Sequence, residues 1–365
     1  MRAGAVSSIQ AALAEHGVDA VWIEASANLR YLTGLALMAI ERPCGMLVPA
    51  RGEPRMLVPL LLRPETAELP VEQAVWADHE GHEEALGSLL ADVRRCYVQP
   101  ALPTWVCRSM SAVRPGLEVE LDPGILSGLR ARKDPGELDR LRRAAQLADE
   151  TAAWIGSLAL EGYTERRLET EIAIRFLRAQ AGTYDYIVAT GANAALPHHR
   201  SGDAPIATDR PLLADFGCVV DGYHSDITRM FFPAELGAEV AEAYAVVCEA
   251  HDAVLAILRP GTTCEEADRA ARDVVEAAGY GDGFLSRTGH GIGLEIHEAP
   301  YLRSGSTLAL EEGNVFSVEP SIVVSGSFGV RYENLVHLGA DGPELLNSAA
   351  RFHSLGTGTT NEEAS

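Results

Sequence analysis

The chain has 365 residues, 47% hydrophobic and 22% charged, an ordinary globular composition with enough length for two domains that each bury a core. Thirty basic residues face 52 acidic ones, for a net charge of -22. That balance excludes a nucleic-acid partner, because nothing would neutralise the phosphates, and no apolar run approaches the roughly 20 residues of a membrane span.

The opening MRAGAVSSIQAALAEHG carries one Arg and no apolar stretch, so no secretory signal is expected. Ser7–His16 reads as a helix with Ile9 and Leu13 on one side, and Ala20–Ile23 and Cys44–Val48 read as short buried strands. Residues 1–130 thus form an α/β domain. The polar, basic stretch Leu126–Lys133 reads as a linker. Asp134-Pro135-Gly136-Glu137 then supplies an N-cap, a Pro at the first helical position and a Glu three residues after the cap. A long helix to about Ser157 is expected, then a second over Glu165–Gln180 and a strand over Tyr184–Ala189. Pro211–Val220 and Tyr223–Phe232 read as a hairpin about Asp221-Gly222. Helices over Ala238–Leu258 and Cys264–Ala278 follow, and a last hairpin pairs Asn314–Val324 with Val330–Leu338. Residues 131–350 therefore repeat a layout of two helices and a hairpin. Residues 351–365 read as a disordered tail, being small and polar from Gly356 on. The six cysteines (Cys44, Cys96, Cys107, Cys218, Cys248, Cys264) form no CxxC pair. Reduced, mostly buried thiols in a cytoplasmic protein are expected.

The chemistry concentrates in Asp215, Asp226, His290, Glu319 and Glu333. Four carboxylates and an imidazole are a hard, oxygen-rich set able to hold two divalent cations and polarise water between them. Strand parity brings them together. With a two-residue turn at Asp221-Gly222, Asp226 lies opposite Gly217, and Asp215 points to the same face. The two carboxylates become diagonal neighbours, and Gly217 leaves room for an ion. A loop centred near Gly326 places Glu319 opposite Glu333, and His290 arrives from the Gly-rich stretch between the hairpins. Asp215 and Glu319 both follow apolar strand residues, where an unpaired charge is costly and a cation would relieve it.

The motifs ALPHH (195–199), DFGCVVDGYHSDITR (215–229), GHGIGLEIHE (289–298), VEP (318–320) and VRYEN (330–334) resemble the pita-bread metallopeptidases, with Xaa-Pro aminopeptidase, prolidase, methionine aminopeptidase and creatinase among them. Asn28–Gly34 resembles part of the creatinase-type N-terminal domain. The resemblance implies an α/β N-terminal domain followed by an α+β pita-bread domain. It also implies a dinuclear site in which Asp215, Asp226 and Glu333 bind metal, Asp226 and Glu333 bridge both ions, and His290 and Glu319 each complete one. Manganese is favoured among manganese, cobalt, zinc and iron. His198 and His297 would flank the site and contact the substrate or tetrahedral intermediate, and Arg331 matches an Arg near the metals of prolyl-specific members. Glu319 would shuttle a proton to the leaving amine. The implied activity is cleavage of the Xaa-Pro bond of short peptides by a homodimer. Glu319-Pro320-Ser321-Ile322-Val323 departs from the Glu-Pro-Gly-Ile-Tyr common in prolyl-specific relatives, which keeps a small non-peptide amide substrate open. A catalytically dead binding protein is the reading of another class, and it would usually have lost a ligand.

Overall fold

The computed structural model describes residues 1–38 and 41–355. The chain divides into two units, Met1–Arg130 and Ala131–Ser365. In the first, a six-stranded sheet has the order β4-β3-β2-β1-β5-β6. Its strands are β1 (Ala20–Glu24), β2 (Gly45–Pro49), β3 (Arg55–Pro59), β4 (Glu72–Trp76), β5 (Arg95–Val98) and β6 (Glu118–Leu121). The helices are α1 (Ala3–His16), α2 (Ala27–Thr33), α3 (Arg63–Thr66), α4 (Glu83–Leu90), α5 (Thr104–Val113) and α6 (Ile125–Ala131). All five residues of β1 are buried, because the sheet is covered on both faces. Val21 and Ile23 pack with α1 and α2 through Ile9, Leu13, Leu29 and Leu32, while Trp22 packs with Leu86, Leu89 and Met110 of α4 and α5. Such two-sided burial explains why the strand reads as a continuous apolar run.

The second unit begins with α7 (Pro135–Ser157) and α8 (Glu165–Arg178), followed by β7 (Ile187–Thr190), β8 (Leu212–Phe216), β9 (Val219–Val220), β10 (Tyr223–His224) and β11 (Ile227–Phe232). Next come α9 (Ala238–Ile257) and α10 (Cys264–Ala277), then β12 (Gly289–Gly291), β13 (Glu298–Leu302), β14 (Val315–Val318), β15 (Ser321–Val324), β16 (Phe328–Arg331), β17 (Asn334–Gly339), β18 (Gly342–Leu345) and β19 (Phe352–Ser354). The two larger sheets run β19-β11-β8-β7 and β13-β12-β14-β17-β18, beside the two-stranded pairs β10-β9 and β15-β16. Alternation along the strands divides the core. Leu212, Ala214, Phe216, Ile227 and Phe231 pack with α7 and α8 residues such as Ile155, Leu168 and Phe176. Leu213 and Met230 join Phe316, Val318, Tyr244 and Val247 in the core beneath α9 and α10.

The two-helix, hairpin, two-helix, hairpin layout is present, with four departures from expectation. The boundary between the units does fall inside the expected linker, after Arg130, but residues 126–131 of it are helical: the Asp122 carboxylate accepts from Ile125 N and Leu126 N, and Leu126 is buried. Local capping and one apolar anchor outweigh the basic surface of that stretch. The strand expected from Tyr184 begins only at Ile187. Both hairpins split, the first into the separate pairs β8–β11 and β9–β10 and the last into β14–β17 and β15–β16. The tail reading fails at its start, where β19 pairs in parallel with Met230–Phe232; residues 356–365 lie outside the described residues. All six cysteines are free, and only Cys107 is less than buried.

The capping box at Asp134 is complete: Asp134 Oδ1 accepts from Glu137 N at 2.8 Å, and Glu137 Oε2 accepts from Asp134 N at 3.0 Å. Asp134→Ala removes one side of that exchange. It is expected to lower the stability of the second unit by about 1 kcal/mol, read as a lower denaturant midpoint at constant m-value.

Candidate active site

Asp215 lies in β8 and Asp226 just precedes β11. The ladder pairs Val220 with Tyr223, Val219 with His224, Phe216 with Ile227 and Asp215 with Thr228, a single register about the turn. Asp221 and Gly222 both have positive φ, 50° and 90°, as a type I′ turn requires. Asp226 therefore lies across from Gly217. The space at Gly217, however, is not room for an ion. A Cβ there would stand 1.9 Å from the Ser225 carbonyl oxygen and 2.3 Å from the Tyr184 hydroxyl. Tyr184 donates to that carbonyl at 2.6 Å and lies 3.3 Å from Asp226 Oδ1. Gly217 lets a tyrosine brace the backbone beside Asp226.

The second pair arises the same way. Val318 pairs with Asn334 in β14–β17, and Ser321 with Arg331 in β15–β16. Both follow one register centred on Gly326, so Glu319 faces Glu333 at the break between the two ladders. His290, in β12, sits between β13 and β14. Its backbone N–H donates to Ser317 Oγ, and Ser317 Oγ donates to Glu319 Oε1 at 3.1 Å.

The five side chains converge. Asp215, Asp226 and Glu333 place carboxylate oxygens within 4.8 Å of one another, as do the ligand atoms of His290, Glu319 and Glu333, and those of Asp226, His290 and His297. His290 Nε2 is 3.2 Å from Glu319 Oε1 and 3.7 Å from Asp226 Oδ2. Burial, then the charges of neighbouring carboxylates, pushes the carboxyls of Asp226 and Glu333 well above the usual range. Burial also raises Asp215 and Glu319, against the pull of Arg331. Burial lowers His290 to about 4, leaving a neutral imidazole with a lone pair to offer. Glu333 Oε2 accepts from Thr228 Oγ1 at 2.7 Å, while the buried Glu333 Oε1 has no hydrogen-bond partner among the described residues. Oxygen donors crowded against their own repulsion, one of them orphaned, beside a neutral imidazole fit a pair of hard divalent cations.

On one side the cluster opens into a cavity of about 420 Å³. His198, His297, Glu319 and Arg331 line it together with Arg287 and Val323. His297 lies at the exposed rim, its ring 4.1 Å from that of His290. Arg331 ion-pairs with Asp215 and donates through Nε to Thr228 Oγ1, so it holds the carboxylate cluster as well as facing the cavity. His224 instead bonds the Gly293 carbonyl. Reading the sequence missed Thr228, Ser317, Tyr184 and Arg287. Parity could have found two: Thr228 is two residues from Asp226, and Ser317 two from Glu319, each sharing a strand face. Tyr184 and Arg287 sit outside regular strands and give no such signal.

The family model for metallopeptidase family M24 matches residues 139–340, and that of the creatinase/prolidase N-terminal domain matches residues 6–111. A probable dipeptidase PepE of Mycobacterium tuberculosis is 32% identical over 349 residues, covering 93% of this chain and 92% of that protein. Among solved structures, a prolidase from Thermococcus sibiricus superposes with a TM-score of 0.90 at 28% identity, covering 96% of this chain and 98% of the other. Dipeptidase PepE from Mycobacterium ulcerans gives 0.90 at 29% identity with the same coverage. The architecture is the expected one, a creatinase-type N-terminal domain followed by a pita-bread domain.

Raised carboxyl pKa values make a linkage prediction. A carboxyl held above its unfolded value of about 4 adds stability below that pH, and the stability is lost as pH rises through the folded value. Metal-free protein should therefore lose stability with rising pH relative to the Asp226→Asn/Glu333→Gln double variant. Excess Mn²⁺ should remove the deficit in the parent alone. Denaturant melts of both proteins from pH 5 to 8 check this, and parallel profiles would refute it.

Proposed function

Because the chain belongs to metallopeptidase family M24, we propose that it is a metallo-exopeptidase cleaving the Xaa-Pro bond of dipeptides and other short peptides. The observation that carries this reading is the convergence of Asp215, Asp226, His290, Glu319 and Glu333, with Glu319 also lining a cavity edged by His198 and His297. Relatives named dipeptidase and prolidase support the substrate class. Asp215, Asp226, His290, Glu319 and Glu333 would together hold the divalent cations, manganese favoured. The cations supply Lewis acidity and a water acidified enough to attack near neutral pH.

The chain's own groups do the rest. His198 and His297, at the cavity edge, can donate to the scissile carbonyl oxygen as it gains negative charge. Glu319 both lines the cavity and touches the cluster, the place from which a carboxylate carries a proton to the leaving amine. The Arg331 guanidinium holds Asp215 in place and offsets the local negative charge. Arg287 stacks over Tyr301 at 4.8 Å and presents a second guanidinium to the cavity, suited to the terminal carboxylate of a short substrate. A cytoplasmic homodimer is part of the proposal, supported by the family resemblance and by free thiols. No described helix is long and apolar enough to cross a membrane.

Ser321 and Val323, where the chain departs from Glu-Pro-Gly-Ile-Tyr, both line the cavity. That favours, as a second reading, a small non-peptide amide on the same centre. The deciding assay uses manganese-loaded enzyme on Ala-Pro, Ala-Pro-Ala, Ala-Ala and Ala-Ala-Ala. Cleavage of the prolyl members, abolished in Asp226→Ala, is expected. No cleavage despite two bound cations would rule out the prolyl reading and favour the non-peptide amide. Arg287→Ala is expected to raise KM for Ala-Pro about tenfold with kcat less affected, the signature of lost uniform binding.

A further inference from the structure

Glu165 is a second buried carboxylate centre, with a chemistry opposite to that of the acid cluster. It occupies the first helical position of α8 and is fully buried. Its Oε1 accepts from Thr190 N at 2.9 Å and Asn193 Nδ2 at 2.8 Å. Its Oε2 accepts from Gly202 N at 3.2 Å and bonds His199 Nε2 at 2.8 Å. Burial would raise this carboxyl, but the donors from Asn193, His199, Thr190 and Gly202 outweigh it and hold it below the usual range. With each oxygen doubly engaged, Glu165 has nothing to offer a cation. Glu333, with an orphaned oxygen, does.

The four donors are spread along one segment. Thr190 ends β7, Asn193 lies in the turn Gly191–Ala195, and His199 and Gly202 lie on the return. Between the two pairs stand Pro197 and His198, which line the cavity and are exposed on their solvent side. The backbone adds two ties at the same helix end, Glu165 N to Ala204 O and Arg166 N to Gly202 O. The neighbouring turn has no slack, because a Cβ on Gly329 would stand 1.9 Å from the Ala194 carbonyl oxygen. An exposed loop histidine would otherwise lose rotational and translational freedom on meeting its substrate.

We propose that Glu165 is a positioning residue that staples both arms of segment 190–202 and thereby fixes His198 over the cavity before substrate arrives. The imidazole of His199 provides a side-chain tether at the residue next to His198. The inference rests on the proposed role of His198. A displacement of roughly 1 Å in such a group costs on the order of 100-fold in rate, so loosening the staple should act on kcat rather than on metal content.

The test is a double-mutant cycle on the full-length, manganese-loaded enzyme with Ala-Pro. Glu165→Gln turns one acceptor oxygen into a donor facing other donors. It should lower kcat by about 10- to 100-fold, with bound manganese unchanged and faster amide exchange confined to residues 190–202. His199→Ala removes one of the four ties and should cost less, which guards against a Glu165 variant that fails to fold. In a His198→Ala background both substitutions should have little further effect, because the group they position is gone. Multiplicative losses in that background, or loss of bound manganese, would overturn the proposal. If His198→Ala alone leaves kcat unchanged, the assigned role of His198 fails and the inference with it. A normal Glu165→Gln beside an impaired His198→Ala sinks the staple only.

Discussion

Everything in the second unit is arranged around one unfavourable interaction: four carboxylates held within a few ångströms of one another and largely out of water. Left alone, such a cluster resists ionisation, as the raised carboxyls of Asp226 and Glu333 record. The fold tolerates it because the surroundings answer each charge. Arg331 meets Asp215, Thr228 meets Glu333, Ser317 meets Glu319, and Tyr184 braces the backbone at Ser225. None of these partners neutralises the set, so a net attraction for cations persists.

The scaffold that delivers the cluster is rigid for ordinary reasons. Arg229, fully buried, donates to the Glu333 carbonyl oxygen at 2.5 Å and to Asn334 Oδ1 at 2.7 Å, tying β11 to β17. Its guanidinium also lies over the Tyr332 ring. Asn334 in turn contacts the buried His251 of α9. Both sheets therefore hold their acidic residues through polar groups placed behind them, and apolar packing under the helices fixes the sheets. The cavity side is the reverse: His198 and His297 stand at a solvent-facing edge, where geometry depends on loop anchoring instead of strand register.

That division explains how much was legible in the sequence. Asp215 with Asp226, and Glu319 with Glu333, could be paired from parity alone, because a strand alternates faces with a period of two and the turn at Asp221-Gly222 is nearly diagnostic. The long helix starting at Pro135 was legible from its cap. The stretch read as a linker does contain the boundary between the units, but its helix was missed, since seven residues held by Asp122 and Leu126 leave little periodicity to detect. The brief strand at 352–354 was misread for a related reason: it exists through pairing with Met230–Phe232, a partner more than 100 positions away. Gly217 was correctly singled out but given the wrong reason, because the Tyr184 hydroxyl that needs the space comes from an irregular segment. Long-range closure is what composition and spacing do not encode.

The acid cluster also lies at a seam. Asp215 lies in the four-stranded sheet and Asp226 just before its strand β11, whereas His290 and Glu319 come from the strand system around β12 and β14. A cation held there as proposed would be a cross-link between chain segments 64 positions or more apart (Asp226 to His290), and a cross-link of that span would remove conformational freedom chiefly from the unfolded chain. Metal supply would then govern how long a copy survives as well as how fast it turns over, because a ligand bound only by the folded state stabilises it.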